Sequence, residues 1–147
     1  MCSYCGCEAI ELIGQFMAEH VDIVNATGAL RQALRRGDVA VAAAAAGTVA
    51  ALLHPHTRRE EEGLFRVLAR TETFGAELAQ LRAEHTDLDA LLAAVASGEL
   101  GPIVPFIDRL REHVNREENG LFPAAAIALD GPDWEELAVL TPTSATR

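Results

Sequence analysis

The sequence predicts an all-α fold, an up-down-up-down four-helix bundle with a short C-terminal fifth helix, and three observations carry that prediction. Ala and Leu are abundant while aromatic residues make up only 5% of the chain, a balance that favours helix over strand. Apolar residues recur at spacings of three and four, and Gly and Pro fall in clusters that punctuate those runs. Finally, the second half of the chain repeats the pattern of the first, so that two helix pairs are expected. Half of the 147 residues are apolar, which is about one domain's length and enough for one buried core.

Taken in order, Ile10, Leu12, Ile13, Phe16, Met17, His20, Ile23, Val24 and Leu30 mark a first amphipathic helix. It ends at Arg35-Arg36-Gly37, with cations in the last turn and Gly beyond. Asp38 suits the N-cap of a second helix that runs through the Ala-rich segment to about residue 70. Pro55 lies inside it and lacks a backbone donor, so a kink or restart is expected there. After a turn at residues 71–73, a third helix carries Leu78, Leu81, His85, Leu88, Leu91 and Leu92, and Ser97-Gly98 closes it. Pro102 suits the first turn of a fourth helix, bearing Val104, Phe106, Ile107, Leu110 and His113 and reaching about residue 129, with Pro123 bending or shortening its end. Trp134 and Leu137 then dock a short fifth helix on the bundle. The expected divisions are a Cys-rich segment over residues 1–9, the bundle over 10–130, and a short helix with a disordered tail over 131–147.

A net charge of −10 argues against nucleic acid and anionic membrane, both of which select basic surfaces. No run of about 18 uncharged apolar residues and no signal peptide is evident, so a cytoplasmic domain without a membrane partner is expected. Cys2, Cys5 and Cys7 all lie in the first seven residues, too close together for a disulfide framework.

The chemistry lies in a doubled stretch. His56-Thr57-Arg58-Arg59-Glu60-Glu61-Glu62-Gly63-Leu64-Phe65 returns as His113-Val114-Asn115-Arg116-Glu117-Glu118-Asn119-Gly120-Leu121-Phe122. A His and a Glu four apart on a helix face the same side, so each copy offers an imidazole and a carboxylate to one point. Ala18-Glu19-His20-Val21-Asp22-Ile23 is matched in the same way by Ala83-Glu84-His85-Thr86-Asp87-Leu88, so each helix pair supplies His, then His and Glu. The expected ligand set is His20, His56, Glu60, His85, His113 and Glu117. That is more than one zinc ion uses, and it suits two first-row ions bridged by carboxylates, with iron the usual occupant of such bundle cores. Burying these groups without a cation would be costly, which sets the set apart from a scatter of hydrogen-bonded core histidines. His54 should turn about 200° away and stay at the surface, and Glu61 and Glu118 should point about 100° past the ligands, as a solvated or outer pair.

This arrangement resembles the hemerythrin-like family, the HHE cation-binding domain, over about residues 10–127. The likeness rests on His, His-x-x-x-Glu, His and His-x-x-x-Glu on successive helices and on the repeated Glu-Glu-x-x-Leu-Phe ending, followed by Pro123. The resemblance implies two non-haem iron ions, oxo- or hydroxo-bridged, with Glu60 and Glu117 bridging. Oxygen-carrying members have a second His four residues after the third-helix His. Here that position is Asp89, open to a role as further ligand, proton relay or plain surface residue, and its carboxylate argues against reversible O2 carriage. The Cys2-Ser3-Tyr4-Cys5-Gly6-Cys7 segment reads as a metal site completed from elsewhere, a redox thiol group, a flap placing a thiolate or the Tyr4 phenol near the irons, or a frayed terminus. The expected function is chemistry on hydrogen peroxide, O2 or NO in oxidative or nitrosative stress, catalase-like or NO-reducing if it turns over. The alternatives are an iron, oxygen or redox sensor, an O2-binding protein without turnover, and a zinc-loaded structural site. Neither the electron donor nor the choice between monomer and homodimer is written in the sequence.

Overall fold

The computed structural model describes residues 10–142, all of whose regular elements are helical. In chain order they are α1 (Glu11–Arg36), α2 (Val39–Arg59), the π-helical segment π1 (Glu60–Phe65), α3 (Arg66–Leu68), a 3-10 turn (Glu72–Phe74), α4 (Gly75–Ala96), α5 (Ile103–Arg116), the π-helical segment π2 (Glu117–Leu121), α6 (Phe122–Ala128) and α7 (Gly131–Leu140). Residues 1–9, with the Cys2, Tyr4, Cys5 and Cys7 expectations, and the tail at residues 143–147 lie outside the described residues.

Local chemistry sets the helix ends. Gly37 takes φ +64°, which lets its N–H reach the Leu34 carbonyl (3.1 Å) while the Asp38 N–H reaches that of Ala33 (3.0 Å). Asp38 then turns its carboxylate to the Val41 N–H (3.0 Å), so one residue closes α1 and opens α2. At the start of α7, Asp130 and Asp133 each accept the other's backbone N–H, at 3.0 and 3.1 Å.

Pro55 lies inside α2. The helix does not restart there: α2 runs unbroken through Pro55, whose missing donor would have served the carbonyl of exposed Ala51, where water can substitute. The irregularity comes instead at Glu60, where the chain widens into π1, and at the matching Glu117, where it widens into π2. The fourth predicted helix is likewise α5, π2 and α6 in succession, ending at Ala128.

α1 packs on α2 and α5, and α4 packs on α2 and α5, so the four long elements close a ring consistent with an up-down-up-down bundle. Two apolar clusters fill it. One gathers Phe16, Leu64, Phe65, Leu81, Leu121 and Phe122, and α7 caps it through buried Leu137 and half-buried Trp134. The other gathers Ile23, Leu30, Val49, Leu88, Phe106 and Leu110. Between them lies one polar layer of four imidazoles and two carboxylates. The continuous helix Val39–Leu68 is long enough, and over part of its length apolar enough, to cross a membrane by length and composition alone, although it also carries charged residues from Arg58 to Glu62. It nevertheless buries His56 and Glu60, and Ala42, Ala46, Val49 and Leu53 pack into the bundle, as in the core helix of a globular domain.

Candidate metal centre

Each ring helix sends one imidazole into the polar layer: His20 from α1, His56 from α2, His85 from α4 and His113 from α5. Glu60 and Glu117 enter at the first residue of each π segment, and both are fully buried. One extra residue in a helical turn re-aims the side chains around it, and π segments of this kind are frequent at functional sites. The ligating atoms form two overlapping groups, His20, His56, Glu60 and Glu117, then Glu60, His85, His113 and Glu117, within each of which the atoms lie no more than 4.8 Å apart. Both carboxylates belong to both groups.

The inward nitrogens are all Nε2. His20 Nε2 lies 3.0 Å from Glu117 Oε1, His56 Nε2 3.4 Å from Glu60 Oε1, His85 Nε2 3.3 Å from the same Glu60 oxygen, and His113 Nε2 3.4 Å from Glu117 Oε2. Donor atoms that share one ion at about 2.0–2.2 Å stand about 3.0–3.5 Å from one another, so these spacings suit a common cation. Both Glu60 oxygens, Glu117 Oε2 and His56 Nε2 have no hydrogen-bond partner. A fully buried carboxylate with no donor is costly, and a cation between the groups would remove that cost.

The outward nitrogens are all Nδ1, and each donates to a carboxylate. His20 pairs with Glu118 (2.8 Å), His56 with Glu19 (2.7 Å), His85 with Glu61 (2.6 Å) and His113 with Glu84 (2.8 Å). With the proton held at Nδ1, the Nε2 lone pair is free to face the centre. The pattern obeys the internal repeat: Glu19 and Glu84 each precede a His on the same helix, and Glu61 and Glu118 each follow a central Glu. Beyond them, Arg59 donates to Glu19 and also to Gln15 (3.0 Å), while Arg116 Nε lies 2.8 Å from Glu84. Stacked rings close the layer, Phe65 on His85 (5.6 Å between centroids) and Phe122 on His20 (5.9 Å), with Phe16 edge-on to His56 (5.5 Å).

In the metal-free chain the imidazoles are strongly basic. Burial disfavours the His20 imidazolium, but hydrogen bonds to Glu117 and Glu118 outweigh it and raise the pKa to about 9. The same contest, decided by Glu60 and Glu19, takes His56 to about 10, and decided by Glu117, Glu60 and Glu84 it takes His113 to about 9. His85 is raised as well, Glu60 prevailing over burial. Burial pushes the Glu117 carboxyl upward, yet His113 and His20 hold it well below the usual carboxylate range.

Six of the residues singled out from the sequence thus meet in one buried layer. Asp89 does not join them. It is half-exposed, 3.1 Å from His54 Nε2, on the outside of α4. Glu61 and Glu118 serve as outer partners of imidazoles. Glu19, Glu84, Arg59 and Arg116 were missed as participants, although all four stand inside the repeated stretches, where a match between the two copies was the available signal.

No curated protein and no solved structure matches the chain significantly. Residues 11–125, from the first residue of α1 into α6, match the family described as the hemerythrin HHE cation binding domain, and the layer of buried His and Glu lies wholly within that span. The chain therefore belongs to the hemerythrin HHE cation-binding family.

Proposed function

We propose that the chain is a di-iron protein that reacts with small oxidants, hydrogen peroxide, O2 or NO. The observation that carries this reading is the sharing of Glu60 and Glu117 between two His-His groups, with their oxygens otherwise unpartnered. In this reading His20 and His56 would hold one ion and His85 and His113 the other, with Glu60 and Glu117 available to both. Mixed imidazole and carboxylate donors suit iron or manganese, and with two imidazoles and two shared carboxylates per ion, positions remain for a small exogenous ligand. Bound iron would supply one-electron redox chemistry toward such ligands.

The protein's own part is positional. Glu118, Glu19, Glu61 and Glu84 keep the Nδ1 protons outward and fix the ring planes. Phe16, Phe65, Phe122 and Leu81 exclude bulk water, so that only small molecules reach the layer. Asp89, paired with His54 at the surface, is assigned no part in holding the ions. A domain organisation of one bundle carrying one dinuclear centre follows.

Peroxide separates the outcomes. Iron-loaded protein is expected to show near-ultraviolet charge-transfer bands of a bridged diferric pair and to evolve O2 over many turnovers. A single stoichiometric bleaching would favour a sensor or binding protein. A colourless chain that takes up zinc and refuses iron would overturn the iron reading altogether.

A further inference from the structure

The internal repeat makes the two metal positions equal in their direct donors, two imidazoles and two shared carboxylates each. It does not make them equal one layer out. On the His85/His113 side both outer carboxylates carry a guanidinium: Arg116 Nε lies 2.8 Å from Glu84, and Arg82 Nη1 donates to Glu61 at 3.2 Å, its guanidinium 5.6 Å from the centroid of the Phe65 ring that stacks on His85. On the His20/His56 side only Glu19 has one, from Arg59. Glu118 has no guanidinium partner among the described residues. Met17, a buried apolar residue, stands in the repeat where Arg82 stands. Glu118 is also the more sheltered of the matched pair, 15% exposed against 32% for Glu61, so solvent screens its charge less.

Resting on the di-metal reading above, we infer that the two positions are unequal, and that the His20/His56 position is the tighter one and fills first. Among the described residues its surroundings hold two carboxylates and one guanidinium, against two of each on the other side, so one negative charge without a guanidinium partner there faces its cation through His20. A carboxylate on Nδ1 makes each of the four imidazoles a better donor, and on His20 that carboxylate shares its charge with no guanidinium among the described residues. Arg82 is 44% exposed, which limits its effect to that of a surface ion pair, about a twofold to fivefold change in affinity.

The test is a titration of Co(II), followed by its visible bands, into the metal-free full chain at low salt. Two steps of unequal affinity are expected. Glu118→Gln keeps an acceptor for His20 but removes the charge, and weakens the tighter step. Arg82→Met, a change at an exposed side chain, strengthens the weaker step, a gain that loss of a merely structural residue would not produce. The two steps therefore converge in both variants. In the unsubstituted chain they also converge at about 1 M salt, where charges are screened beyond about 3 Å. Steps that diverge in the variants, or that neither substitution moves, would overturn the inequality while leaving the dinuclear centre standing. Fewer than two bound Co(II) ions in the unsubstituted chain would instead defeat the di-metal reading itself.

Discussion

Gly63 sits three residues beyond Glu60 within π1, and a Cβ built on it would lie 2.0 Å from Thr141 Cγ2 and 3.5 Å from Thr141 Cβ. Two effects of Gly63→Ala therefore oppose each other. Replacing Gly inside a helical segment favours folding by about 1 kcal/mol. Overpacking of a filled site costs about 1–3 kcal/mol. Carbon atoms prefer about 3.5–4.0 Å, so the gap must open by about 1.5 Å or more. Thr141 cannot give way by rotating cheaply, because it is β-branched and its hydroxyl donates to the Leu137 carbonyl. Overpacking wins at so short a contact, and Gly63→Ala is expected to lower stability by up to about 2 kcal/mol, while the shift beside Glu60 weakens metal uptake. Thr141→Ser removes only the offending methyl. In that background the new Cβ meets an ordinary contact, and Gly63→Ala becomes neutral or stabilising by up to about 1 kcal/mol. The assay is urea unfolding of the four members of the cycle, metal-free, with metal uptake measured alongside. Gly120→Ala in π2, whose Cβ would find Glu77 Oε1 at 3.6 Å, is the tolerated control. Equal costs of Gly63→Ala with and without the Thr141→Ser change would refute the docking of the α7 end on π1.

Other expectations follow from the polar layer. His113→Ala should abolish uptake at one position and destabilise the loaded bundle, because metal binding contributes to folding free energy; full iron content and an unchanged Tm would contradict its role as a ligand. Asp89→Ala, altering a half-exposed residue paired with His54 at the surface, should leave metal content and peroxide reactivity unchanged, and loss of either would bring Asp89 back to the centre. Metal-free protein should lose stability in alkali: His20, His56 and His113 have folded-state values raised to about 9, 10 and 9, so their contribution is complete below an unfolded value of about 6.5 and vanishes as pH rises through 9–10. Urea midpoints between about pH 6 and pH 10 check this, and a midpoint rising across that range would show the sign to be wrong.

Much of this was legible in the sequence because it is local or repeated. Arg35-Arg36-Gly37-Asp38 encodes a helix stop and a helix start in four residues, and the turn chemistry needs no distant partner. The six inward residues could be listed because helical spacing places His and Glu on one face, and the doubled stretch shows that the spacing is not accidental. The π segments were not legible, since widening a turn at Glu60 and Glu117 leaves no mark in composition; the conspicuous breaker, Pro55, drew attention to a place where the helix stays whole. Glu19 and Glu84 read as ordinary helix-surface acids until the helices are packed, for only then does each face the Nδ1 of an imidazole on its neighbour. The contact of Thr141 with Gly63 joins residues far apart in the chain, and nothing local to either announces it.

The most direct measurement is the iron content of the chain reconstituted with Fe(II) under anaerobic conditions and freed of loosely bound metal. Under the di-iron proposal, two His-His groups sharing Glu60 and Glu117 call for about two irons per chain, and for loss of both when Glu117 is replaced by Ala, since that carboxylate belongs to both groups. One iron per chain, or two retained without Glu117, would contradict a dinuclear centre built on shared carboxylates.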